Sequence, residues 1–181
     1  MVDLVILQSV SYIAAAIGVC VAAFYYALNL RETTRNRRAT LTTNLMQSFL
    51  SEEGALRLIY LLSMQWSDID DYVKKYDSSV NPENYAKRVA FWNTCDMLGY
   101  QYRTGIIDLE TIYSIAGNWI IGPWIKFKPI IEHYRKWEWA SDYLSNYEYL
   151  AEKLLKLQQS RDRDFDEKIN VVLTTHLKDN K

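Results

Sequence analysis

No charged residue stands between Leu4 and Leu30, and that limits what the first part of this chain can be. A helix needs about 20 consecutive apolar residues to cross the ~30 Å hydrocarbon layer of a bilayer, and this block is long enough. A cleavable export signal has a basic start, a shorter apolar centre and a small-residue cleavage site. Here the start is Met1-Val2-Asp3, and Arg31, Arg35, Arg37 and Arg38 come after the block. Residues 1–30 are therefore expected to form a single transmembrane helix. Basic residues resist translocation, so the arginines are expected to keep the C-terminal side in the cytoplasm of a cell-membrane protein, with the amino terminus outside. Tyr25 and Tyr26 sit where amphipathic rings favour the headgroup layer.

At 100° per residue Ser11, Ala14, Ala15, Gly18 and Ala22 share one arc of the helix. Small residues there let a second helix approach closely, either another membrane protein or a second copy; Ala and Gly are also simply common in spans. Between Val19 and Glu53 there is neither proline nor glycine, so residues 31–53 are expected to continue the span as a juxtamembrane helix. Its basic patch reads as topogenic charge or as a contact for anionic lipid headgroups.

Residues 54–181 read as a cytoplasmic helical domain, making the whole an all-α protein. Gly54 is the expected interruption, followed by two short apolar-rich helices with Ser67 or Asp68 as cap. Asn81-Pro82-Glu83 is a strong helix start, with asparagine as cap and proline at the first helical position. That helix is expected to end at Gly105, and Asp108 to cap the next. Gly122-Pro123 and Pro129 mark breaks or kinks in the aromatic-rich segment beyond it. Tyr147, Leu150, Leu154 and Leu157 form one stripe, which Phe165, Ile169 and Val172 resume. The one strand-like run is Ile169 to Thr175.

The segment Trp92 to Arg135 contains an aromatic helix, the turn Arg103-Thr104-Gly105-Ile106-Ile107-Asp108, and an aromatic-rich helix ending in arginine. In this it resembles a family of prokaryotic proteins of unknown function with one N-terminal span and a helical cytoplasmic domain. The resemblance implies that architecture and brings no catalytic residues.

Signals for chemistry are sparse. A net charge of -1 gives no field for nucleic acid. His133 and His176 stand apart, as do Cys20 and Cys95, so neither a metal nor another cofactor is expected. Asp68-Ile69-Asp70-Asp71 lacks the glycine and distal glutamate of a calcium loop and reads as a solvated helix start. Asp96 falls in the arc of Tyr85, Val89 and Trp92 and is expected to face inward, where a carboxylate needs partners. It is expected to be a hydrogen-bonded or ion-paired structural anchor, with Arg135 of the next helix as a candidate partner. The aromatic segment Trp119 to Trp139 is expected either to pack in the core or to touch lipid. Two functional classes remain: a non-enzymatic subunit or adaptor of a membrane complex, or a membrane-tethered effector enzyme with a site built from scattered groups such as Asp96 and His133.

Overall fold

The computed structural model describes residues 4–136 and 140–169, and among these every regular element is helical. The chain divides into two compact units, Met1–Leu41 and Thr42–Lys181. Trp137, Trp139, Val172, His176 and the strand-like run beyond Ile169 lie outside the described residues.

Helix α1 spans Leu4–Leu50. Along Leu4–Leu30 the described side chains are all exposed, including Ile6, Ile13, Ile17, Val21 and Phe24. It is the one described helix long and apolar enough to cross a membrane. Thr34 and Thr40, poor helix formers, donate their hydroxyls to the carbonyls of Leu30 and Asn36, one turn back.

In the second unit, the last turns of α1 supply Leu45 and Phe49 to the core. The break expected at Gly54 falls three residues earlier, at Ser51. The Ser51 hydroxyl accepts the Gly54 amide at 3.1 Å and starts α2, Glu52–Ser63, with Glu52 and Glu53 at its positive end. Gly54 serves the elbow differently: a Cβ there would lie 2.7 Å from the carbonyl oxygens of Ser48 and Phe49.

Asp68 caps α3, Ile69–Tyr76, through the Asp71 amide. Asn81 caps α4, Pro82–Arg103, and Gly105, at φ 72°, closes it in the left-handed conformation. Asp108 caps α5, Leu109–Tyr134, through the Thr111 amide. This 26-residue helix runs through both Pro123 and Pro129. The expected restart does not occur. Each proline removes one helix hydrogen bond, but the surrounding core holds the helix together: Trp124, Phe127, Ile130 and Ile131 are all buried. The described aromatics of this segment thus belong to the core, with Trp119 and Tyr134 packed against its edge.

Helix α6, Ser145–Arg161, packs on α4 and α5; α2 also packs on α5, and α3 on α4. Residues 165–169 are helical again, with Phe165 buried. The core is joined by ring contacts, Trp92 on Phe127 at 5.5 Å, Trp66 on Phe127 at 5.3 Å and Trp124 on Tyr147 at 5.0 Å. Burying each such side chain contributes about 1.5–3 kcal/mol.

The inward face of α4 differs from the expected arc. Asn84, Arg88, Phe91, Trp92, Cys95, Leu98 and Gly99 are buried, whereas Tyr85 is exposed and Val89 and Asp96 are half-buried. The stripe is rotated by about one residue, and it sets Gly99 against α6. A Cβ on Gly99 would stand 2.0 Å from the Asn146 carbonyl oxygen.

Gly99→Ala should therefore force α4 and α6 apart and lower stability by about 1–3 kcal/mol. Thermal unfolding of the full-length protein in detergent measures this, with Gly18→Ala, at a site with open surroundings, as the control.

Candidate functional site

In α1, Ser11, Ala14, Ala15, Gly18 and Ala22 are all exposed, and a Cβ added at Gly18 meets nothing within 4 Å. The Ser11 hydroxyl is satisfied within its own helix by the Leu7 carbonyl at 2.9 Å. Arg31, Arg35, Arg37 and Arg38 are exposed too, and none takes part in an ion pair among the described residues. This helix carries an apolar, partly small-residue surface and a cationic segment on one continuous rod.

Asp96 sits at a helix end. Position 144, which precedes α6, is Leu144, left-handed at φ 58° and without a side chain able to cap. The first amides of α6 would be left without acceptors. The Asp96 carboxylate supplies them: one oxygen accepts the amides of Asn146 at 3.0 Å and Tyr147 at 2.9 Å, the other accepts the Asn146 side-chain amide at 3.1 Å. A residue fifty positions away thus performs the work of an N-cap, with its negative charge at the positive end of the helix dipole.

Arg135 is not its partner. The Arg135 guanidinium pairs with Glu148 at 2.6 Å and donates through Nε to the Tyr143 carbonyl at 2.7 Å. With no carboxylate but Glu148 in reach among the described residues, it ties the end of α5 to the start of α6. His133 faces Tyr134 and shares no hydrogen bond with Asp96. Among the described residues no group of three or more His, Cys, Asp and Glu side chains is placed to hold a metal.

Two more cations close helix ends. Lys126 of α5 donates to the Leu62 carbonyl in the last turn of α2 and lies 5.3 Å from the Trp66 ring. Burial lowers its ammonium to about 8. Arg88, fully buried on α4, reaches the Tyr76 carbonyl at the end of α3 and the Asn84 side chain, at 3.4 and 3.3 Å. Its guanidinium lies 4.9, 5.4 and 5.0 Å from the rings of Tyr72, Tyr85 and Trp92. Sequence reasoning missed Arg88. The signal was its spacing, four residues from both Asn84 and Trp92, which places a cation on the stripe that Phe91 and Cys95 bury.

The second unit also carries an open groove of about 770 Å³ between α2 and α4. Leu56 and Ile59, 59% and 63% exposed, give it apolar walls, with Ala86 and Ala90 opposite. Ion pairs Glu53–Arg57 at 2.8 Å and Glu83–Lys87 at 2.6 Å flank it. That combination of an apolar trough with a charged margin suits an amphipathic helix.

These features define a helical domain that follows one helix able to cross a membrane. The model of a family described as a domain of unknown function, DUF4760, matches residues 12–154, and the chain belongs to that family. The match extends well beyond Trp92 to Arg135, from within the apolar part of α1 to the buried stripe of α6. No curated protein and no solved structure matches the chain.

If Asp96 caps α6, Asp96→Asn should lose about 1–3 kcal/mol, because an amide oxygen replaces a charge-assisted acceptor. Unchanged thermal stability with a lost cellular function would instead assign Asp96 to chemistry. Lys126 gives a pH test. Its folded pKa near 8 lies below the unfolded value of 10.5, so the unfolded state binds more protons between them and stability rises with pH from about 8. The rise should stop as tyrosines with raised pKa values, such as Tyr143, begin to favour the unfolded state above pH 10. Amine acylation followed by peptide mapping should find Lys126 half-reactive near pH 8, well before the exposed Lys75 and Lys87, whose carboxylate partners raise them.

Proposed function

We propose that this is a single-pass protein of the cell membrane, amino terminus outside, whose cytoplasmic helical domain serves as a non-enzymatic subunit or adaptor of a membrane complex. The observation that carries this reading is the fully exposed, charge-free surface of α1 from Leu4 to Leu30. In water that much apolar surface invites association; in a bilayer it is the ordinary outside of a span. The arginines beyond it favour the cytoplasmic side and the anionic lipid there.

Two surfaces support recruitment. The small-residue face of α1 allows close approach by a helix within the membrane. The groove between α2 and α4 accepts an amphipathic helix of the same partner outside it, with Leu56 and Ile59 as the apolar contacts. The family match, which begins inside the apolar part of α1, supports treating span and domain as one functional whole.

The full-length protein, purified in mild detergent, should bring down a stoichiometric second membrane protein. Ile59→Asp should weaken that capture at least tenfold without lowering thermal stability, since Ile59 is exposed. Exchange of the span for a neutral Leu/Ala helix should weaken it too. Purification as a lone monomer or homodimer would overturn the adaptor reading. A C-terminal fluorescent-protein fusion should glow in cells, and a C-terminal alkaline phosphatase fusion should be inactive; the opposite pair of results would reverse the topology.

A further inference from the structure

The groove between α2 and α4 holds one polar group whose direction is fixed from inside the core. Arg88, fully buried on α4, can only donate hydrogen bonds. It donates to the side-chain oxygen of Asn84 at 3.3 Å, which turns the Asn84 amide nitrogen the other way. That nitrogen donates to the Tyr60 hydroxyl oxygen at 2.9 Å and to the Met64 sulfur at 3.4 Å. A tyrosine hydroxyl both accepts and donates. Tyr60 therefore accepts on its core side, and its own proton is left for an acceptor elsewhere. Among the described residues none takes it. Tyr60 is 37% exposed and lines the groove, so a docked partner can reach that proton.

The surroundings favour an acceptor with negative charge. Among the described residues the lining bears one carboxylate, Glu53, against two cations, Arg57 and Lys87. Glu53 is matched by Arg57 at 2.8 Å. Lys87 lies 5.1 Å from the centre of the Tyr60 ring and pairs at 2.6 Å with Glu83, which stands outside the lining. An ammonium has three donors, so Lys87 keeps capacity beside the ring that offers the proton. Behind both, the relay begins at the Arg88 cation, and each link turns its donor toward the groove. Polarisation along such a chain strengthens the last donor.

We propose that the helix received by this groove carries a carboxylate, aspartate or glutamate, within its apolar stripe, and that this carboxylate accepts the Tyr60 proton with Lys87 beside it. The inference rests on the groove being the docking site for the membrane partner, and it adds the chemistry by which that partner is chosen. Leu56 and Ile59 supply apolar contact, and Tyr60 supplies selection. A wholly apolar helix would bury the Tyr60 proton without an acceptor. A lysine or arginine there could accept nothing and would face the cations of the lining.

The test starts from the full-length protein in mild detergent with the membrane partner it captures. Tyr60→Phe keeps the ring and removes the proton, and should weaken capture at least tenfold. A photoreactive side chain introduced at position 56 should mark one helix of the partner, with an aspartate or glutamate within a turn of the mark. Changing that residue to alanine should weaken capture at least tenfold on the unaltered protein, so the test survives if Tyr60→Phe fails to fold. Combined, the two changes should weaken capture no further than either alone, since both remove one bond. Losses that multiply would make Tyr60 a structural residue and overturn the proposal. So would a marked helix without a carboxylate, or a mark on a second copy of this chain. If Ile59→Asp abolishes capture while Tyr60→Phe leaves it intact, the docking site stands and the carboxylate falls. If neither change matters, or no partner is captured, the docking site falls and takes the carboxylate with it.

Discussion

The contact between Asp96 and the start of α6 organises the second unit. Helix α6 begins at a left-handed leucine that cannot cap it, and Leu144 is there because its side chain belongs to the core. A polar cap at that position would satisfy the amides and remove a buried apolar group. Moving the acceptor onto α4 keeps both. The same solution fixes register, since Asp96, Gly99 and Arg103 lie along one edge of α4 and all meet Asn146. Asp96 takes its amides, Gly99 admits its carbonyl, and Arg103 donates to its side chain at 3.0 Å. A slip of either helix by one residue would break all three together.

The device recurs with the opposite sign. Lys126 serves the end of α2, and Arg88 the end of α3, each from a neighbouring helix. Helix C-termini carry partial negative charge and unpaired carbonyls, which favour a cation. Neither α2 nor α3 is long enough to be stable alone, so closing their ends from α5 and α4 makes their helicity depend on packing. Stability in this domain is therefore concentrated at helix ends as well as in its aromatic core. Polar substitutions at Asp96, Lys126 or Arg88 act on two elements at once.

This explains which parts were legible in the sequence. Caps placed within three residues of the amides they serve, at Asp68, Asn81 and Asp108, were readable, as was the glycine stop at Gly105. The apolar block was readable because length and absence of charge decide it. Caps that reach across fifty residues leave no local trace, so Asp96 showed only as a carboxylate needing partners, and Arg135 was matched to it instead of to Glu148. Pro123 and Pro129 pointed to breaks in α5 because local propensity argues for them; the tertiary core outweighed two lost hydrogen bonds. Arg88 was passed over because a charge on a buried stripe contradicts the pattern used to find such stripes. Sites of that kind are where local rules fail for a reason.

Arg88 also links the end of α3 to the groove between α2 and α4. Its guanidinium donates to Asn84 at 3.3 Å, and the Asn84 amide donates to the Tyr60 hydroxyl at 2.9 Å. Tyr60 lines the groove between α2 and α4. A continuous polar route therefore connects the end of α3 with the groove between α2 and α4. Continuity alone is a route and not a coupling. What makes it consequential is that the same guanidinium holds the end of α3 through the Tyr76 carbonyl and addresses Tyr60 through Asn84, so a shift of Arg88 acts on both.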